Sequence, residues 1–259
     1  MSRVRRAVEP AAPRRGAVPA KAPGQGPAAP VDLDAIRRGI VSCERCPRLR
    51  AWCERVAREK RAAFRDEAYW GRPVPGFGDA RARLLVLGLA PAAHGANRTG
   101  RVFTGDGPGG SGDFLYRAMH DRGFASQPTS RHAGDGLTLS DAWVTAAVRC
   151  APPGNKPSPE EVANCLPHLL AELEALRRVR VVVALGRIAA DVAWRAMVAR
   201  GEPASPRPVF AHGAVHHPAD ARTPVLVCSY HPSRQNTQTG RLTPRMLDEV
   251  FATARALLG

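Results

Sequence analysis

The chain contains no run of about 20 apolar residues, the length a membrane-spanning helix needs. No apolar segment follows the arginines near its start, so no secretory signal is expected and the cytoplasm is the expected compartment. No GxxxxGK followed by Ser or Thr occurs, which weighs against a nucleotide hydrolase or phosphotransferase built on a phosphate-cradling loop. No internal repeat is present, so a solenoid or propeller is not expected. Acidic residues are scarce: 23 Asp and Glu stand against 38 Lys and Arg, giving +15 over 259 residues. That excess favours a polyanionic partner, nucleic acid first. Arg3, Arg5, Arg6, Arg14, Arg15 and Lys21 lie in the first stretch, yet the remainder stays positive without them.

Residues 1–30 are rich in Pro, Ala and Arg without periodicity and read as a disordered basic tail. A domain is expected over 31–259. Apolar runs at Leu84–Leu87, Trp143–Val148, Val179–Leu185 and Val225–Tyr230 read as core strands, with an edge strand at Val209–Val215. Helical patterns lie between them. Asp32 or Asp34 caps a helix through Ile36, Ile40 and Val41. A second helix runs from about Leu49 to Arg65, and another from Phe114 to Arg122. Ser158, with Glu161 as a capping box, starts one that reaches about Leu176. One more follows Gly186 through Val198, and Thr243 with Pro244 opens the last, to Leu258. The alternation implies a single three-layer α/β domain with a central, mostly parallel four-stranded sheet flanked by helices.

In such sheets ligands sit at the carboxyl ends of the strands. Three segments follow strands and should converge there: the Gly-rich stretch after Leu87, the Cys150–Pro157 turn, and the loop opened by His231. The first is the most distinctive. It crosses small and glycine residues before a helix opens at Asp113, and carries one phenylalanine, Phe103, and the carboxylate of Asp106. Glycine lets a backbone come close to a ligand.

Six cysteines in a chain expected to be cytosolic, where disulfides are rare, point towards a metal or cluster. Cys43 and Cys46 form a CxxC, with Pro47 after it, and Cys150 and Cys165 can complete a tetrad. From spacing alone an iron–sulfur cluster and a structural zinc are equally well served. Either would tie the N-terminal helices to the sheet. Cys53 and Cys228 are assigned to the core, and His212, His216 and His217 to a polar edge rather than a metal site.

Four blocks carry a family resemblance: CERCP at 43–47, GLAPAAHGANRTGRVFTGD at 88–106, VRCAPPGNKPSPEE from Val148 with the later Cys165, and HPSRQNTQTGRLT at 231–243. Together they resemble the iron–sulfur uracil-DNA glycosylases, and most closely the family 5 (type b) branch, from about residue 32 onward. The resemblance implies a structural 4Fe–4S cluster on Cys43, Cys46, Cys150 and Cys165. It implies a monofunctional DNA glycosylase of base-excision repair acting on damaged bases in double-stranded, and also single-stranded, DNA. No lysine stands where a Schiff-base nucleophile would be expected, so lyase activity is not. A monomer is expected. The related family 4 has Glu where this chain has Leu89, Gly where it has Ala92, and a base-reading Asn where it has Ala146. Family 5 lacks these too, which implies that Asp106 supplies the acid and that the pocket accepts hypoxanthine, xanthine, ethenocytosine and hydroxymethyluracil besides uracil.

Breaking an N-glycosidic bond makes a cationic sugar and an anionic base, so negative charge is needed near the sugar and a donor near the base. Asp106 is assigned the first task and His231 the second. Phe103 is the expected stacking platform, with Ala90, His94 and Asn155 around the base. Arg98, Arg101 and Lys156 are expected on phosphates. Gln235, Asn236, Thr237, Gln238 and Arg241 are expected to form the wedge that fills the gap left by a flipped base. The other reading is a catalytically weak iron–sulfur nucleic-acid-binding protein that does not depend on Asp106 or His231.

Overall fold

The computed structural model describes residues 32–203 and 206–259; the basic tail lies outside them. Six strands form one sheet: β1 (Phe77–Gly78), β2 (Leu84–Gly88), β3 (Ala142–Ala146), β4 (Val181–Leu185), β5 (Val215–His216) and β6 (Val225–Ser229). Their order is β1-β3-β2-β4-β6-β5. The inner four are parallel, and β1 and β5 close the edges antiparallel to β3 and β6. The four-stranded expectation thus becomes a four-stranded parallel core with two short antiparallel edges. Each edge strand has only two residues, too few for an alternating pattern. The expected edge strand at Val209–Val215 reduces to Val215–His216, and Val209 is exposed.

Eight helices accompany the sheet among the described residues: α1 (Leu33–Val41), α2 (Pro47–Glu59), α3 (Ala96–Thr99), α4 (Ser111–Asp121), α5 (Pro159–Ala175), α6 (Arg187–Ala199), α7 (Arg234–Gln238) and α8 (Pro244–Leu258). The core strands are buried on both sides because successive side chains point to opposite faces. Leu85, Leu87, Val182, Ala184 and Leu226 pack with α2, α5 and α6. Leu84, Val86, Val181, Val183 and Val227 pack with α4 and α8. Each fully buried Leu or Val contributes roughly 1.5–3 kcal/mol.

Local chemistry sets the helix ends. Asp32 caps α1 through the amides of Asp34 and Ala35. Ser158 and Glu161 form the expected capping box of α5. Helix α2 stops at Glu59, short of the expected Arg65, because Lys60 adopts φ 53° and a 3₁₀ turn follows at Ala62–Phe64. A buried ion pair spans two of the layers: Arg149, just after β3, pairs with Glu172 of α5 at 2.8 Å, both nearly inaccessible. The hydroxyl of Thr145 donates to the same carboxylate at 2.8 Å. This buried pair fixes the turn that carries Cys150.

Candidate active site

Gly88 ends β2, and its lack of a side chain is used at once. A Cβ there would stand 2.6 Å from Cζ of Phe103, so the ring rests on the strand's carboxyl end. Phe103 itself has φ 52°, a left-handed backbone uncommon for a large residue. Strain of this kind gathers at functional sites, where surrounding structure over-determines it. Gly112 of α4 lets the helix approach the Phe103 carbonyl, where any Cβ would overlap that oxygen. The ring lies 5.8 Å from that of His231, tilted by 31°. His231 follows β6, and its carbonyl accepts from Asn236 Nδ2 at 2.9 Å, which holds the turn into α7.

Asp106 completes the site from the same loop as Phe103. Gly95 leaves room for its carboxylate, and Gly110 for its Cβ. Removal from water pushes Asp106 up to about 6; the Gly112 amide and the charges of Arg234 and Arg98 hold it lower than burial alone would. Burial pushes His231 the other way, down to about 4, so its imidazole is neutral near pH 7. A carboxylate pushed up to about 6 and a neutral imidazole therefore border one cavity of about 680 Å³. Ala90, His94 and Asn155 also line it. His94 Nδ1 is 3.1 Å from the Tyr69 hydroxyl. Asn155 has φ 58° in an exposed turn after Gly154. Ala146, at the end of β3, leaves the floor without a polar side chain.

Residues 75–255 match the uracil DNA glycosylase superfamily. Curated relatives named type-5 uracil-DNA glycosylase include one from Mycobacterium tuberculosis, 52% identical over 88% of this chain and 81% of its own length. One from Thermus thermophilus is 53% identical over 88% of this chain and 100% of its own. Another, from Pyrobaculum aerophilum, is 45% identical over 87% and 93%. The chain belongs to the uracil-DNA glycosylase superfamily, in its type-5 branch. As a member of that family it is a hydrolase of N-glycosyl bonds.

In this glycosylase two of the expected phosphate contacts face inward instead. Arg98 is buried, stacks its guanidinium 3.9 Å from the Phe64 ring centre, and donates to the carbonyls of His94 and Gly105 and to Glu67. Arg101 is buried and donates to Asp135 at 2.8 Å, Ser130 and Thr104. Both brace the loop that carries Phe103 and Asp106, because carbonyls and carboxylates within the fold claim their donors. Lys156 is exposed beside the pocket turn. The expected wedge is a helical turn, α7, with Gln235, Asn236, Thr237 and Gln238 on it and Ser233 as its cap. Gln235 lines the pocket, and Arg241 lies 4.7 Å from the Tyr230 ring centre.

Sequence reasoning missed Arg234, which lines the pocket and donates to the Asp106 carbonyl at 3.0 Å. It also missed Arg61 and Phe64, brought to the pocket wall by the 3₁₀ turn. Their positions depend on chain reversals that leave no periodic signal. Across the described residues no helix is long and apolar enough to cross a membrane.

The four cysteines of the expected tetrad line one small cavity between α2, the turn after β3, and α5. Asn164 Nδ2 donates to Cys46 Sγ at 3.8 Å, and the Arg149 amide donates to Cys165. His168 Nε2 is buried there without a partner. Burial pushes the thiols of Cys46 and Cys165 up, and contact with Cys53 raises Cys150. Among the described residues no three Cys, His, Asp or Glu side chains already stand in a metal-ligating array. The donor set fits a thiolate-bound centre in chemistry: four sulfurs, N–H groups aimed at two of them, and Arg50 and Arg149 beside them to offset negative charge. Cys53 and Cys228 are buried in the core, as assigned.

Proposed function

We propose that the protein excises uracil from DNA, and that its pocket also takes hypoxanthine, xanthine, ethenocytosine and hydroxymethyluracil. The observation that carries this is the meeting of Asp106, Phe103 and His231 around one cavity, the acid raised and the imidazole lowered. A base flipped out of the duplex stacks on Phe103, with Ala90, His94 and Asn155 around its edge. The C1′–N bond breaks with its electron pair going to the base. His231 donates a hydrogen bond to the base oxygen where that charge gathers; a neutral donor needs no proton transfer to do so. The Asp106 carboxylate stabilises the cationic sugar and accepts a proton from the water that attacks C1′. The bare floor at Ala146 supports the wider base range, since no amide there selects one pattern of donors and acceptors.

DNA reaches the pocket past Lys156, Arg241 and α7, with Gln235, Asn236, Thr237 and Gln238 filling the vacated stack. Cys43, Cys46, Cys150 and Cys165 would hold a structural 4Fe–4S cluster, which would tie the start of α2 and the helix α5 to the turn after β3. The protein works as a monomer in the cytoplasm. The test is release of free base from labelled duplexes carrying one uracil or one hypoxanthine, read as alkali-labile breaks. Wild type should release both. Asp106→Asn and His231→Ala should each lose on the order of 100-fold or more in single-turnover rate. Retention of full rate by either variant would remove its residue from the mechanism.

A further inference from the structure

The base pocket uses the carboxyl ends of the parallel strands; their amino ends carry a second concavity. It measures about 440 Å³ and is walled by Arg83, Arg177, Arg178, Arg180 and the last turn of α8. Arg83 immediately precedes β2 and Arg180 immediately precedes β4. The amides of Arg180 and Val181 both donate to the Arg83 carbonyl, at 2.8 and 3.2 Å, so the two arginines are held side by side.

Arg83 is spent on the fold, donating to Asp141 and to the Leu258 carbonyl, each at 2.7 Å. Asp141 is thereby consumed, and Arg255 approaches it as well, at 3.7 Å. Arg177, Arg178 and Arg180 are exposed around the same concavity. The ion pair at this wall joins Arg83 to Asp141, and none among the described residues involves those three. Clustered like charges raise a local potential that an anion relieves. The planar guanidinium fork matches phosphate oxygens. The strands separate this pole from the base pocket by at least roughly 16 Å, so a duplex laid across one end leaves the other free.

Resting on the reading that the protein works on DNA, we infer that the Arg177–Arg178–Arg180 pole is a second DNA-phosphate site. It grips the backbone of one DNA segment while the base pocket holds another. The protein then passes between segments through a complex with both, without first dissociating.

The experiment uses the full chain on a dye-labelled duplex and measures its dissociation rate as unlabelled duplex is added. Wild type should leave faster as the competitor rises. The triple variant Arg177→Glu, Arg178→Glu, Arg180→Glu should lose most of that dependence. A charge-matched variant at three exposed arginines elsewhere, Arg37→Glu, Arg58→Glu, Arg195→Glu, should keep it. Equal slopes in the two variants overturn the inference. So does a flat response in wild type. Uracil release is measured in the same samples. If release persists while the slopes match, the second site alone fails; if wild type releases no base, the DNA reading fails with it.

Discussion

The carboxylate of Asp106 lies directly over Gly95, in the space a side chain there would fill. Their closeness joins the two ends of the loop after β2, since the short helix α3 and the turn carrying Phe103 lie between them. Gly95→Ala should therefore displace the acid. A misplacement of about 1 Å costs roughly 100-fold in rate, so kcat should fall by that order with the half-saturating DNA concentration little changed. Single-turnover and binding measurements separate the two.

Asp106 also makes the protein less stable when charged. Its folded value of about 6 lies above its ordinary value of 3.8. The folded state thus holds the extra proton between those values, and stability from this group is lost as pH rises through that window. Asp106→Asn should melt higher than wild type at pH 8, with the difference shrinking below pH 4. Thermal melts across pH check it. A variant that melts lower at pH 8 would mean that the carboxylate is not held away from water.

Arg234 spans the pocket mouth from α7 to the Asp106 carbonyl. Losing it should loosen the acid and remove a positive charge that lowers its proton affinity. Arg234→Gln is expected to lose about tenfold in single-turnover rate, the scale of one hydrogen bond from a charged group, and to move the acid limb of the pH profile upward. A rate loss with no shift of that limb would limit Arg234 to DNA contact.

Stacking on Phe103 should appear in binding more than in chemistry. Base–aromatic stacking contributes ~1–3 kcal/mol. Phe103→Ala should raise the substrate concentration for half-maximal rate by roughly tenfold, for uracil and hypoxanthine alike. A loss confined to one base would assign the ring a selective role.

Glu172→Ala should leave Arg149 buried without its carboxylate partner. Breaking such a pair costs about 3–5 kcal/mol. Denaturant unfolding should show that loss, and the turn bearing Cys150 should become more open to thiol reagents. Destabilisation below about 1 kcal/mol would mean that water or Thr145 replaces the carboxylate.

The parallel core was legible because β2, β3, β4 and β6 are short apolar runs buried on both faces, and because Ser158, Glu161, Thr243 and Pro244 mark helix starts by local chemistry. β1 and β5 were not, being two residues each and formed by pairing alone. Lys60 ends α2 early through a left-handed backbone that nothing in a lysine announces. Arg98 and Arg101 read as phosphate contacts because a loop arginine is normally exposed; only the fold reveals that Glu67, Gly105 and Asp135 lie within their reach. Arg234 lies 128 residues from the acid it touches, so the contact exists only once β6 is placed.

The most direct measurement is the single-turnover rate of uracil release against pH, from pH 4 to 9, for wild type and Asp106→Asn. Wild type should lose activity as pH falls through about 6, where Asp106 takes up its proton. The variant should be slow throughout and lack that limb. A wild-type limb that survives in Asp106→Asn, or a variant as fast as wild type, would contradict the assignment of Asp106 as the group that stabilises the sugar.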